Sequence, residues 1–414
     1  MFLYVSYSGG AGLHSMSPVA DVRMEAAAVG SGWLGTRFLV FPQPPFIPGY
    51  ERPEPVWIAT PPDRIGPGPA DRRIYVIDPL VPKEPYGFPF LPPCRSACYP
   101  PPEPGPDGHY DHLPPDSRGF LSAHAFACVH RVLDICENYW GSEIPWFFEP
   151  DYDRLEVVPR IPWNNAQSGF GYLELGEDDS RDEPIPYALN FDAIAHETGH
   201  LVLLGVLGTP RGAPSQEFLA YHEAVADFLS LLGLLHFDTA VDRILRRTRG
   251  NLYIVNELDR FAELGDEKQI RVLSHSLKAG DVGAEVHDFS KPFAGALFDS
   301  LLEIFQLLLL ERGLSDLDTR EIEEVRVDLT QADIDREILV SRDSYELRHF
   351  AVKSALVEAR DLVGETLARS WRMLGPDGLS FAEAADAVVA TAEAGRARRF
   401  AARIHQNFAW RLIV

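Results

Sequence analysis

Four cysteines in 414 residues are too few for a disulfide scaffold, and no two of them form the Cys-x-x-Cys pair that would hold a metal. Cys128 and Cys136 fall in a helical apolar pattern and read as buried free thiols. Cys94 and Cys98 are close enough in sequence for a disulfide, which the sequence alone does not decide; a reducing compartment is the default. Basic residues are scarce as well. Against 61 Asp and Glu there are 38 Lys and Arg, a net charge of −23, which argues against nucleic acid or an anionic membrane surface as partner. No apolar run is expected to span a membrane, because Glu or Gly interrupts the longest ones. A secretory leader is not visible either: between Met1 and Met24 no Lys or Arg precedes Arg23, and the apolar start is only five residues long. The expectation is a cytoplasmic protein, or a secreted one if the true start differs or an upstream segment is missing.

What is present is an ordinary globular composition, 46% apolar and 24% charged, in a chain long enough for two or three domains. About two-thirds of the 34 prolines lie between Pro42 and Pro115. Such density excludes long helices and central strands, leaving turn-rich chain with short edge strands such as Arg73 to Ile77. Aromatic residues among the prolines (Phe41, Tyr50, Trp57, Tyr86) suggest irregular structure draped over the rest; a rigid linker or proline-rich ligand segment is the alternative.

From Gly119 the texture changes. Ser122 to Trp140 has helical periodicity with Ser122 as its cap, and Arg154 to Val158 and Gly171 to Leu175 read as strands. Phe191 to Leu207 and Ser215 to His236 read as buried apolar helices. The remainder is expected to be overwhelmingly helical, most clearly over Lys291–Glu311, Ser344–Leu374 and Phe381–Trp410. The predicted organisation is therefore a proline-rich segment (1–118), an α/β lobe (119–236) and a helical lobe (237–414).

The chemistry sits in the middle. His196-Glu197-Thr198-Gly199-His200 is an HExxH motif, and on a helix two residues four apart share a face, so both imidazoles can reach one tetrahedral metal ion. Glu197 lies about 100° round the axis, where it can take a proton from a water held at the metal without ligating it. Two histidines and a glutamate inside an otherwise apolar helix would be costly without a partner, and a metal is the natural one. In the next helix Glu223 and Asp227 again stand four apart. Glu223 would complete a His₂Glu site, and Asp227 would accept the second ring N–H of a ligating histidine. His222 competes with Glu223 for the ligand role, and an acidic stripe on a surface helix is the bland alternative.

An HExxH helix followed by an ExxxD helix resembles the thermolysin family of gluzincin metallopeptidases. The resemblance runs from about Ser122 to the C-terminus and is strongest over Asn164–Leu232 and His287–Leu310. It implies an α+β fold, with a strand-rich lobe and a helical lobe around a zinc cleft, one zinc per chain, and hydrolysis of peptide or protein substrates. It pairs Asp227 with His196. Trp163-Asn164-Asn165-Ala166 resembles the family's edge-strand segment, which makes Asn165 and Ala166 candidates for gripping substrate backbone; a simple Asn-rich turn is the alternative. Val286-His287-Asp288-Phe289-Ser290 resembles its His-x-x-Ser element, which makes His287 the candidate for stabilising the tetrahedral oxyanion. Arg271 is the candidate for gripping a substrate carbonyl, with Arg260 as rival and an exposed helix arginine as the alternative.

The departures matter too. No tyrosine follows HExxH before Tyr221, which would have to substitute for the family's tyrosine. Asp192 matches a family aspartate, but the calcium co-ligand position is Leu234, so calcium is not expected there. No exopeptidase motif of the Gly-x-Met-Glu-Asn type is present. Two other functions stay open: a catalytically silent zinc protein that uses its cleft for binding, and a zinc hydrolase of non-peptide substrates.

Overall fold

The computed structural model describes residues 35–87, 90–178, 184–253, 258, 260–265, 268–314 and 331–414, with backbone alone for 260–265, 268–272 and 331–344. The reading of Met1 to Met24 lies outside these residues. The chain is a mixed α+β protein, about 49% helix and 11% strand, with a small sheet region and a helical C-terminal part.

Strands β1 (Thr36–Val40) and β2 (Glu54–Ile58) pair antiparallel. A second sheet takes β3 (Ile74–Val76), β4 (Leu155–Val158), β5 (Ala166–Gly169) and β6 (Tyr172–Leu175) in the order β3-β4-β6-β5. The first three in that order are parallel, while β5 runs antiparallel to β6 and forms one edge. A short pair, β7 (Glu177–Asp178) and β8 (Ile185–Pro186), follows.

Helix α1 (Arg118–Trp140) packs on the sheets. Its cap is Ser117, whose hydroxyl accepts from Phe120 N at 3.2 Å; Ser122, expected as the cap, is buried inside the helix. Helix α2 (Phe191–Leu207) opens on Asn190, whose side chain accepts from Ala193 N, and stops at Gly208 with φ 83°. Helix α3 (Gln216–Leu234) is capped by Ser215 in the same way. Helix α4 (Asp238–Thr248) carries the chain to an antiparallel hairpin, β9 (Arg260–Gly265) and β10 (Lys268–Val272). That hairpin is the exception in a part expected to be overwhelmingly helical: Arg260 and Arg271 lie on strands, not on a helix.

Helix α5 (Val286–Glu311) runs through the centre of the helical part, flanked by α3, α6 (Gln331–Ser370) and α8 (Ala401–Trp410). By length and composition α5 could cross a membrane, contrary to the sequence expectation, yet 89% of its most apolar window is buried inside the protein. Its apolar surface is spent on the core. The final helix expected over Phe381–Trp410 is two, α7 (Phe381–Ala394) and α8, broken at Gly395.

One apolar core runs from Phe38 to Phe408 and takes in Ile47, Tyr50 and Val56 of the proline-rich segment. Further along, that segment is strapped to the outer face of the four-stranded sheet. There Tyr86 packs with Val158, Ile161 and Tyr172, and two buried carboxylates, Glu156 and Glu174, reach out from neighbouring strands. Glu156 accepts from Tyr75 Oη, Tyr86 Oη and Cys94 N. Glu174 accepts from Lys83 Nζ and from Tyr86 N. Buried carboxylates this well partnered are a fixed anchorage, because releasing either would leave charge in apolar surroundings. All four cysteines are free thiols.

Candidate metal centre

Helices α2 and α3 lie against each other, and Gly199 sets how closely. A Cβ at that position would stand 3.0 Å from Ala226 Cα, so the HExxH glycine is what lets the ExxxD helix approach. Ser230 Oγ donates to Asp192 O at 3.1 Å and ties the second helix to the first turn of the first. The Asp192 carboxylate itself accepts from Gln43 Nε2 at 2.9 Å.

Across this contact His196, His200 and Glu223 bring their donor atoms within 4.8 Å of one another. His196 Nε2 stands 3.0 Å from His200 Nε2. The Glu223 carboxylate faces both rings, Oε2 at 3.5 Å from His196 Nε2 and Oε1 at 3.6 Å from His200 Nε2. The carboxylate separations are too long for good hydrogen bonds. They are close to the roughly 3.3 Å edge of a tetrahedron of N and O ligands around zinc, given bonds of about 2.0–2.1 Å. Two nitrogens and a carboxylate at these spacings fit a His₂Glu zinc site.

The tautomers agree with that fit. Asp227 Oδ1 lies 2.8 Å from His196 Nδ1; as an acceptor it keeps the proton on Nδ1 and leaves the Nε2 lone pair for a ligand. Burial, followed by the neighbouring His196, lowers the pKa of His200, which favours the neutral form a metal needs. Burial alone would raise the pKa of Glu223, but the imidazoles of His196, His287 and His200 outweigh it and hold this carboxyl well below the usual range. His222, the rival ligand, is not among the clustered donors; its ring stacks on that of His200 at 6.1 Å between centroids. It packs on Phe218 at 4.4 Å between ring centroids, and burial pushes its pKa down to about 3.

Glu197 stays out of the ligand cluster, and its Oε2 accepts from Ser168 Oγ at 2.8 Å. Ser168 belongs to β5, the edge strand, which packs along α2. The Asn165–Ala166 segment expected on such an edge opens this strand, with Ala166 opposite Leu175 in register. Asn165 is exposed, and its Oδ1 accepts from Ala166 N at 2.9 Å. His287 lies in the first turn of α5. Its Nε2 is 3.3 Å from Glu223 Oε2, and its Nδ1 is 2.7 Å from Glu285 Oε1. Glu285 also caps α5, accepting from Asp288 N at 3.0 Å, so one carboxylate starts the helix and orients the imidazole.

Tyr221 cannot substitute for the missing tyrosine. It is fully buried and packs edge-on against Phe293 at 5.2 Å, in the core. Arg271 pairs with Phe261 across the β9–β10 hairpin, and its side chain lies outside the described residues. Sequence reasoning missed Ser168 and Glu285. Neither belongs to a motif, although strand alternation from Ala166 would have placed Ser168 on the same face as that residue.

No family model matches the chain, and no curated protein matches it.

Proposed function

We propose that this protein is a zinc-dependent peptidase of the thermolysin-like gluzincin type, with one metal held by His196, His200 and Glu223. The observation that carries the reading is the division of labour among the carboxylates. Glu223 completes the ligand triangle, Asp227 fixes a ligand tautomer, and Glu197 is held apart from both, facing the edge strand. A purely structural site needs the first two and has no use for the third. Zinc bound there would supply Lewis acidity, polarising a carbonyl oxygen and acidifying water.

The chain's own groups account for the rest of the reaction. An extended peptide adds beside β5 at Asn165 and Ala166, which places a scissile carbonyl near the donor cluster. Glu197 takes the proton of the attacking water and returns it to the leaving amine. His287, gripped by Glu285, directs its other ring nitrogen toward the same space and offers positive charge to the oxyanion. In this reading the finer architecture is a cleft between the strand-rich and helical parts, lined by β5 on one side and the start of α5 on the other.

The test is zinc content by mass spectrometry alongside cleavage of an unstructured casein-type substrate, with and without chelator. About one zinc per chain with chelator-sensitive cleavage is the expected result, and Glu197→Gln should abolish cleavage while leaving zinc in place. A chain without zinc would sink the reading. The turn of Tyr221 into the core favours a second one, a silent zinc protein that uses the cleft as a binding surface; stoichiometric zinc without cleavage would select it.

A further inference from the structure

Strand β5 is held from both faces at adjacent residues. Successive side chains on a strand point to opposite sides, so Ala166 and Ser168 share one face and Gln167 takes the other. On the rear face Gln167 Nε2 donates to Tyr86 O at 3.0 Å and to Glu174 Oε2 at 2.7 Å. Glu174 is fully buried, and it also holds Lys83 Nζ and Tyr86 N. The proline-rich strap thus clamps the edge strand from behind. On the front face Ser168 Oγ donates to Glu197 Oε2 at 2.8 Å.

We propose that Ser168 is a positioning residue for Glu197, and that the edge strand is therefore part of the proton-transfer machinery as well as a template for the substrate. This rests on the peptidase reading above. Glu197 projects from a helix into partly open space on a side chain with three rotatable bonds, and such a group samples several rotamers unless something selects one. A charge-assisted hydrogen bond from a rigid strand selects it. The bond engages Oε2 alone, so Oε1 stays available for the proton. Because the hydroxyl donates to the oxygen that does not take the proton, the contact persists when the carboxyl becomes protonated. Gln167 and the buried Glu174 keep the strand, and hence the hydroxyl, from drifting.

The test uses full-length, zinc-loaded protein and acetohydroxamic acid, a metal chelator that also hydrogen-bonds a neighbouring carboxylate. Its affinity is measured by calorimetry for five proteins: unaltered, Ser168→Ala, Ser168→Thr, Glu197→Gln, and the Ser168→Ala/Glu197→Gln double variant. Losing a hydrogen bond to a charged group should weaken the probe about 10-fold in Ser168→Ala, but less than about 2-fold when the same change is made in the Glu197→Gln background. Ser168→Thr keeps the hydroxyl and should restore affinity to within about 2-fold. Zinc content should be equal in all variants, and in casein cleavage Ser168→Ala should lower kcat and leave KM in place. An equal loss with and without the Glu197→Gln change would show a general disturbance of the strand and overturn the positioning role. So would no loss at all, with the peptidase reading left intact in either case. Unaltered protein that takes up no zinc would bring down that reading and this proposal together.

Discussion

His124 should make the protein acid-labile in a way that one substitution removes. The residue is fully buried on α1. Its Nε2 accepts from Phe41 N at 3.0 Å, and Nδ1 is 3.4 Å from Cys128 Sγ. It thus ties the residue that follows β1 to α1. Burial lowers its pKa from 6.5 to about 3. Well above pH 6.5 the imidazole is neutral in the folded and unfolded chains alike and contributes no pH dependence. Between pH 6.5 and about 3 the unfolded chain takes a proton that the folded chain refuses, so stability falls as pH falls.

The slope approaches about 1.4 kcal/mol per pH unit, and from pH 7 to pH 5 the loss comes to about 2 kcal/mol. Gln offers an acceptor for Phe41 N and a donor of its own without titrating. Urea unfolding of the unaltered protein and of His124→Gln at both pH values gives the contrast. The unaltered protein should lose about 2 kcal/mol more than the variant on acidification, whatever the variant's stability at pH 7. Equal acid losses in the two proteins would refute the reasoning, and would mean that His124 is accessible to protons in the folded state.

Two further outcomes follow from the proposed metal centre. Asp227→Asn should weaken zinc binding about 10- to 100-fold in competition with a chromogenic chelator, because the His196 tautomer is no longer fixed by an acceptor-only group; unchanged affinity would remove Asp227 from the site. Gly199→Val should cost about 1–3 kcal/mol in urea unfolding and lower zinc affinity in parallel, since its Cβ meets the Ala226 backbone and pushes Glu223 and Asp227 away from the histidines.

The helices that carry this site were legible because their signals are local. Phe191–Leu207 has its expected bounds, with Asn190 and Gly208 punctuating a stretch that is apolar apart from Asp192 and the HExxH residues. The four-residue spacings of His196/His200 and Glu223/Asp227 define faces before any tertiary structure is known. The β9–β10 hairpin was not legible, because strands of six and five residues are too short to separate a period of two from one of 3.6. The cap of α1 was misplaced because Ser117 and Ser122 offer the same hydroxyl, and only packing decides which side of it the helix begins. Ser168 escaped for a deeper reason. Its significance is a contact between residues 29 positions apart, and no spacing rule reaches across a sheet-to-helix junction.

The burial of α5 has a consequence for the order in which the molecule is made. Its most apolar window has a mean hydropathy of 1.7, and in the finished protein α3, α6 and α8 cover it. On the ribosome only α3 has emerged before it, while α6 and α8 are still to be synthesised. For that interval the nascent chain displays a stretch that membrane-insertion machinery and chaperones recognise by hydropathy alone. Slowing translation once Glu311 has emerged from the ribosome, before α8 has done so, should therefore raise capture of the chain by such factors, and slowing it before Val286 should not.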